Sequence, residues 1–165
     1  MPAKPARFDR TDEHAQQRLR TFARSLPMTL LKAREAVMNE FRPHLRALGV
    51  TEQQWRILRA LEALGECSAS DLAEATCISM PSLSRILSGL EQRGLVRRHA
   101  DPSDLRRTFI AIAAPGEKLL REGALESERI YTNIAKRLGS AQIDSLYALL
   151  DNVSALDSTS NGKHD

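Results

Sequence analysis

The 165-residue chain is poor in the residue types that most enzymes and metal sites are built from. There are two cysteines, Cys67 and Cys77, with no C-x-x-C, and the histidines His14, His44, His99 and His164 are scattered, so zinc-ligand spacing is missing and no metal or other cofactor is expected. The eight glycines never fall as G-x-G or G-x-x-x-x-G-K, and neither G-x-S-x-G nor H-E-x-x-H occurs, which removes the common phosphate-binding and hydrolytic signatures and argues against an enzyme. No apolar run approaches the ~18 residues of a membrane span. The basic start MPAKPARFDR leads into no hydrophobic stretch of signal-peptide type, so the reading is a cytoplasmic protein with no membrane partner. Aromatics are only 4% against 42% hydrophobic and 27% charged residues, a profile that suits a helical domain and disfavours a β-sandwich.

What is present is charge arranged with direction. The net charge is only +3, but basic residues outnumber acidic ones two to one over residues 1–50, balance them over 51–113, and are outnumbered over 114–165. Inside the neutral middle, Arg85, Arg93, Arg97, Arg98, Arg106 and Arg107 face only Glu91, Asp101 and Asp104.

The apolar spacing predicts a mostly α protein with a small β-hairpin. Residues 1–24 read as a mobile or partly helical arm, since two prolines and many polar residues cannot bury enough surface to order it. A long amphipathic helix follows over Leu30, Leu31, Val37, Met38, Phe41, Leu45 and Leu48, with Ser25 as N-cap, Gly49 as stop, and a kink or break near Arg42 because Pro43 sits inside. T-E-Q-Q at 51–54 is a capping box opening a helix over Trp55, Leu58, Leu61 and Leu64, closed by Gly65. Ser68 and Asp71 open a short helix. Ser79 caps the next, with Pro81 in its first turn and Leu83, Ile86, Leu87 and Leu90 toward a core. Two β-patterned runs, 95–99 and 107–112, flank the turn-rich A-D-P-S-D-L-R. A helix from Pro115 to about Gly139 and a last one capped by Ser140 lead to a disordered polar tail at 158–165.

This order, helix, short helix, turn, helix and arginine-bearing hairpin, is that of a winged helix-turn-helix, whose second helix enters the DNA major groove. The side of that helix turned from the core carries Pro81, Ser82, Ser84, Arg85 and Ser88. Short hydroxyl side chains allow close approach, and an arginine can pair in bidentate fashion with guanine. Ser79, Ser82 and Ser88 can serve bases or phosphates, although serines near a helix start also act as plain caps. Arg106 and Arg107 at a narrow turn suit the minor groove, Arg98 adds a cation to the same surface, and Asp104 holds the wing. The partner implied is double-stranded DNA.

Through S-A-S-D-L-A, S-M-P-S-L-S-R-I-L, L-E-Q-R-G-L-V-R-R and D-P-S-D-L-R-R-T-F-I-A-I the chain resembles the MarR family of bacterial transcriptional regulators over residues 25–157. L-L-K-A-R-E-A-V-M, F-R-P and T-E-Q-Q-W-R-I resemble the branch that represses aromatic-acid degradation operons. The resemblance implies an intertwined homodimer, with residues 25–50 and 114–157 forming the dimerisation region and 51–113 the DNA-binding lobe, on a near-palindromic operator. It adds Ser68 and Ser70 as phosphate contacts. Leu105 stands where many members carry a second wing arginine, and Ala114 where a capping Thr or Ser is usual.

The resemblance also implies release from DNA by a small phenol or aromatic acid. A carboxylate wants a guanidinium fork and a ring wants an apolar wall. Arg34, Met38 and Phe41 on the first long helix and Trp55, Arg56 and Arg59 on the second supply both, though such arginines also make ordinary surface ion pairs. Three rivals remain: a thiol switch through Cys67, which precedes a helix start, although structural filler is the plainer reading of both cysteines and Cys77 looks small and buried; a sequence-nonspecific DNA binder; and a small helical enzyme using Trp55, Arg56 and His44.

Overall fold

A computed structural model describes Phe22 and residues 25–100 and 108–156. The N-terminal arm, the wing tip with Asp104, Arg106 and Arg107, and the C-terminal tail lie outside the described residues. Two compact units are present, Met1–Glu40 and Phe41–Asp165.

Helix α1 spans Leu26–Ala47. Ser25 precedes it, but its hydroxyl donates to the Phe22 carbonyl at 3.0 Å instead of capping the helix. Of the kink or break expected near Arg42, the break does not occur: the helix runs through Pro43. Proline removes one intrahelical bond. Burial of Phe41 and Leu45 on either side, and a 2.5 Å bond from the Arg42 Nε to Glu52, hold the turn in place. Gly49, at φ 68°, ends it: the Gly49 N–H reaches Arg46 O and the Val50 N–H reaches Leu45 O, both at 3.0 Å.

Helix α2 (Glu52–Leu64) opens on the expected capping box, Thr51 and Gln54 each bonding the other's backbone N–H. Its buried side is Ile57, Leu58 and Leu61, while Leu64 stays half exposed and Trp55 partly so. A two-residue strand β1 (Cys67–Ser68), unforeseen from sequence, leads into α3 (Ala69–Thr76) and α4 (Met80–Gln92). Strands β2 (Val96–Ala100) and β3 (Thr108–Ile112) form the expected hairpin, paired from Val96↔Ile112 to Ala100↔Thr108. β1 adds to the other edge of β3 through Cys67↔Ile110 and Ser68↔Phe109, giving the antiparallel order β1-β3-β2.

The core of the larger unit gathers Ile57, Leu58 and Leu61 from α2, Leu72 from α3, Leu83, Leu87 and Leu90 from α4, Val96 and Ile110 from the sheet, and Leu120 from α5 (Ala114–Leu138). Each such side chain contributes about 1.5–3 kcal/mol relative to exposure. α5 starts with Ala113 at its N-cap and no side-chain cap. Its first turn lies against Leu95, where a Cβ on Gly116 would strike the Leu95 carbonyl, so only glycine fits. The last helix, α6 (Ser140–Ser154), begins at Ser140 with Gly139, not Ser140, in the cap position. No residue of α6 is buried, and Leu146, Tyr147 and Leu149 are largely bare. Among the described residues no helix is long and apolar enough to cross a membrane.

Candidate nucleic-acid interface

The chain at α3 and α4 is fixed by local chemistry before any ligand is considered. Ser68 donates from its hydroxyl to the Asp71 carboxylate at 2.7 Å and accepts from the Asp71 N–H at 3.2 Å, so it is occupied as the N-cap of α3. Ser70, one residue into the helix, is exposed. Cys77 closes α3 at φ 51°, letting its own N–H reach Glu74 O and the Ile78 N–H reach Ala73 O. An L-residue there is strained by about 1–2 kcal/mol. That turn sets the angle at which α4 leaves.

On α4, Pro81 sits in the first turn as expected. Ser79 holds the N-cap position without capping, and its hydroxyl donates to the Ser82 hydroxyl at 3.1 Å. Leu83, Leu87 and Leu90 are buried, which turns Pro81, Ser84, Arg85 and Ser88 outward. Arg85 is exposed, with no hydrogen bond or ion pair among the described residues. Arg98 is different. From β2 it reaches across to α4, donating from Nη2 to the Ser84 carbonyl at 3.3 Å and to the Ser88 hydroxyl at 3.2 Å. Its Nε lies 3.4 Å from the Glu91 carboxylate but out of line for a hydrogen bond. Ser88 donates in turn to Ser84 O at 3.0 Å. Arg98 and Ser88 therefore brace the hairpin against α4, a pairing between distant elements that sequence spacing does not reveal. Toward the loop end of the paired strands His99 Nε2 meets Glu66 at 2.9 Å.

The residues expected to hold a small aromatic acid divide. Arg34 and Met38 lie in the smaller unit, where Arg34 pairs with Glu35 at 2.7 Å and Met38 is half-buried. Arg56 donates to the Thr76 carbonyl at 3.0 Å, tying α2 to the end of α3. The others gather in the larger unit. Phe41 meets Tyr131 of α5 edge-on at 5.0 Å, and His44 meets Trp55 edge-on at 6.2 Å. His44 Nε2 lies 3.0 Å from the Gly123 carbonyl, where it donates, and 3.4 Å from the Ser127 hydroxyl. Arg59 pairs at the surface with Glu62 at 2.6 Å and lies close enough to Tyr131 to act on its hydroxyl. Burial pushes the Tyr131 hydroxyl pKa up and Tyr147 adds to the rise, while Arg59 opposes it. Tyr131 and Ser127 were not foreseen as site residues. Their signal is a stripe of small and apolar positions, Gly123, Ser127 and Ile130, at 3–4 spacing along α5.

Of the two cysteines, Cys67 takes the structural role expected and Cys77 is not the buried residue expected. Cys67 is buried because β1 places it in the core, and burial together with Asp71 and Glu66 pushes its thiol pKa up. Cys77, at the helix-turn-helix corner, is exposed. A thiol whose ionised form is disfavoured is a poor sensor, so the structure does not favour a switch through Cys67.

Two short helices joined by a tight turn, the second braced by a β-hairpin, define a winged helix-turn-helix domain. A model of the MarR family matches residues 50–108. The HTH-type transcriptional regulator FarR of Neisseria gonorrhoeae is 39% identical over 83% of this chain and 94% of its own length. The homoprotocatechuate degradative operon repressor of Escherichia coli is 37% identical over 80% of this chain and 89% of its own. Among solved structures, NadR in complex with 4-hydroxyphenylacetate superposes with a TM-score of 0.75 at 40% identity, covering 81% of this chain and 98% of that one. The chain belongs to the MarR family.

Proposed function

We propose that the protein is a dimeric transcriptional regulator that holds a near-palindromic operator through α4 and the hairpin and is released by a small phenolic or aromatic acid. The observation that carries the DNA half is the contrast on α4. Arg98 and Ser88 are used up in bracing, whereas Arg85 stands bare on a helix fixed from both sides, as a side chain reading base edges must. In this reading Ser82 and Ser84 accompany Arg85 in the major groove. Ser70 and the capped first turn of α3 meet phosphate, and Arg106 and Arg107 enter the minor groove. The uncovered apolar residues of α5 and α6, among them Leu125 at 84% exposure, supply the dimer surface.

The effector half rests on Phe41, His44, Trp55, Arg59 and Tyr131, which offer aromatic walls, a phenol and a guanidinium near one another. The solved relative with 4-hydroxyphenylacetate and the repressor of a homoprotocatechuate operon support this ligand class. Release follows if the acid binds more tightly to the dimer whose two α4 helices cannot both reach a half-site, which depopulates the DNA-competent form.

Fluorescence anisotropy on the DNA flanking the gene, at fixed salt, tests both halves. Preference of ~10³-fold or more over random duplex, abolished by one aromatic acid, is the expected result. Affinity that depends on salt but not on sequence would leave a nonspecific binder instead.

A further inference from the structure

We propose that Met80 reads the C5-methyl group of a thymine in the operator's major groove. The proposal rests on the DNA-binding function above and names a specificity residue within it. Met80 is the first residue of α4, directly after the Ser79 cap. It is 48% exposed, whereas Leu83, Leu87 and Leu90 of the same helix are at most 2% exposed and Ile86 packs against the core. The apolar face of α4 is therefore complete without Met80, and its bare surface stabilises nothing in the fold. Position then decides its use. Residues at the start of a groove-entering helix are those that reach base edges. Met80 lies one turn before Ser84, so the two share a face beside Arg85.

The chemistry selects thymine. Met80 has no donor or acceptor able to read the purine edges, and the apolar group displayed in the major groove is the thymine methyl. A thioether chain with three rotatable bonds adapts to a contact set by the docking of the rest of the helix. Met80 also borders an open recess between α4 and the sheet, alongside Ala69, Leu83, Ser84 and Thr108, which leaves its chain room to move. Arg85 and Met80 together would read unlike bases in each half-site, guanine by hydrogen bonds and thymine by contact.

The test uses the full-length protein and its operator, with deoxyuridine replacing one thymine per half-site in turn, and anisotropy at constant salt. Wild type should lose about fourfold in affinity per methyl at one position, the equivalent of ~0.8 kcal/mol for one buried CH₂ group. Met80→Ala should bind the thymine operator with that loss already present and show no further change with deoxyuridine there. Met80→Leu, which keeps an apolar side chain, should remain sensitive. The proposal is overturned if no deoxyuridine position weakens wild type, if Met80→Ala stays as sensitive as wild type at every position, or if Met80→Ala weakens random duplex as much as operator. A wild type without sequence preference on unmodified DNA would overturn the regulator reading and this one together. That result is visible before any deoxyuridine is introduced.

Discussion

Trp55 of α2 closes over Gly123 of α5 so tightly that a Cβ on the glycine would lie 2.6 Å from the indole Cη2 and 2.8 Å from the Leu48 side chain. The same glycine presents its carbonyl to His44 at 3.0 Å. One backbone position thus fixes the ring expected to face the effector and the histidine edge-on to it.

Gly123→Ala should therefore be costly although it adds a single methyl. The Leu48 methyl can rotate away, but the rigid indole of Trp55 has to shift with α2, and overpacking of this kind costs roughly 1–3 kcal/mol. Thermal melting should fall by about 2–4 °C per kcal/mol for a chain of this size. A melting temperature equal to wild type would mean that α5 backs away freely and that the contact orders nothing.

Much of this was legible in the sequence where the determining chemistry is local. The capping boxes at Thr51 and Ser68 span three residues, and the spacing of Leu83, Leu87 and Leu90 needs only the helical period. What depended on distant partners was not. β1 exists only because β3 offers an edge to Cys67 and Ser68, and that pairing buries the cysteine whose place before a helix start had left it a candidate sensor. Arg98 reads as one more cation in an arginine-rich window until β2 carries it to Ser84, fourteen residues back. Pro43 pointed to a kink or break near Arg42, but the helix is not broken there, because burial of Phe41 and Leu45 outweighs one lost bond.

Arg85 and Arg98 should separate in their dependence on sequence and salt. Arg85→Ala should cost ~1–3 kcal/mol on the operator and little on random duplex, because it removes a base contact. Arg98→Ala should loosen the hairpin, lowering both melting temperature and operator affinity while leaving the slope of log K against log salt unchanged. A fall of about one in that slope would instead mark Arg98 as a phosphate contact.

Cys67 and Tyr131 both act on the alkaline side of the stability profile. With iodoacetamide at mildly alkaline pH, Cys77 should be labelled first and Cys67 protected until unfolding, as peptide mass spectrometry can follow. The folded Cys67 and Tyr131 hold their protons above the usual values of 9.0 and 10.0. Once pH passes those values, the unfolded chain binds fewer protons than the folded one, so both groups make stability fall as pH rises. Urea midpoints that stay flat or climb from pH 9 to 11 would contradict the upward shift of both groups.

Arg59 should matter to the effector and not to the operator. Its bond to Glu62 is a surface pair with both side chains about half exposed, worth at most about 1 kcal/mol, so a ligand carboxylate can displace Glu62 at little cost. A charge-assisted hydrogen bond contributes about 1.5–3 kcal/mol, so Arg59→Ala should weaken an aromatic carboxylate roughly 10- to 100-fold. A phenol lacking the carboxylate should lose much less, because in the proposed site its ring is held by Trp55, Phe41 and Tyr131 and not by Arg59. Calorimetry with the two ligands on wild type and variant separates these effects, and equal losses for both would move the carboxylate to another cation.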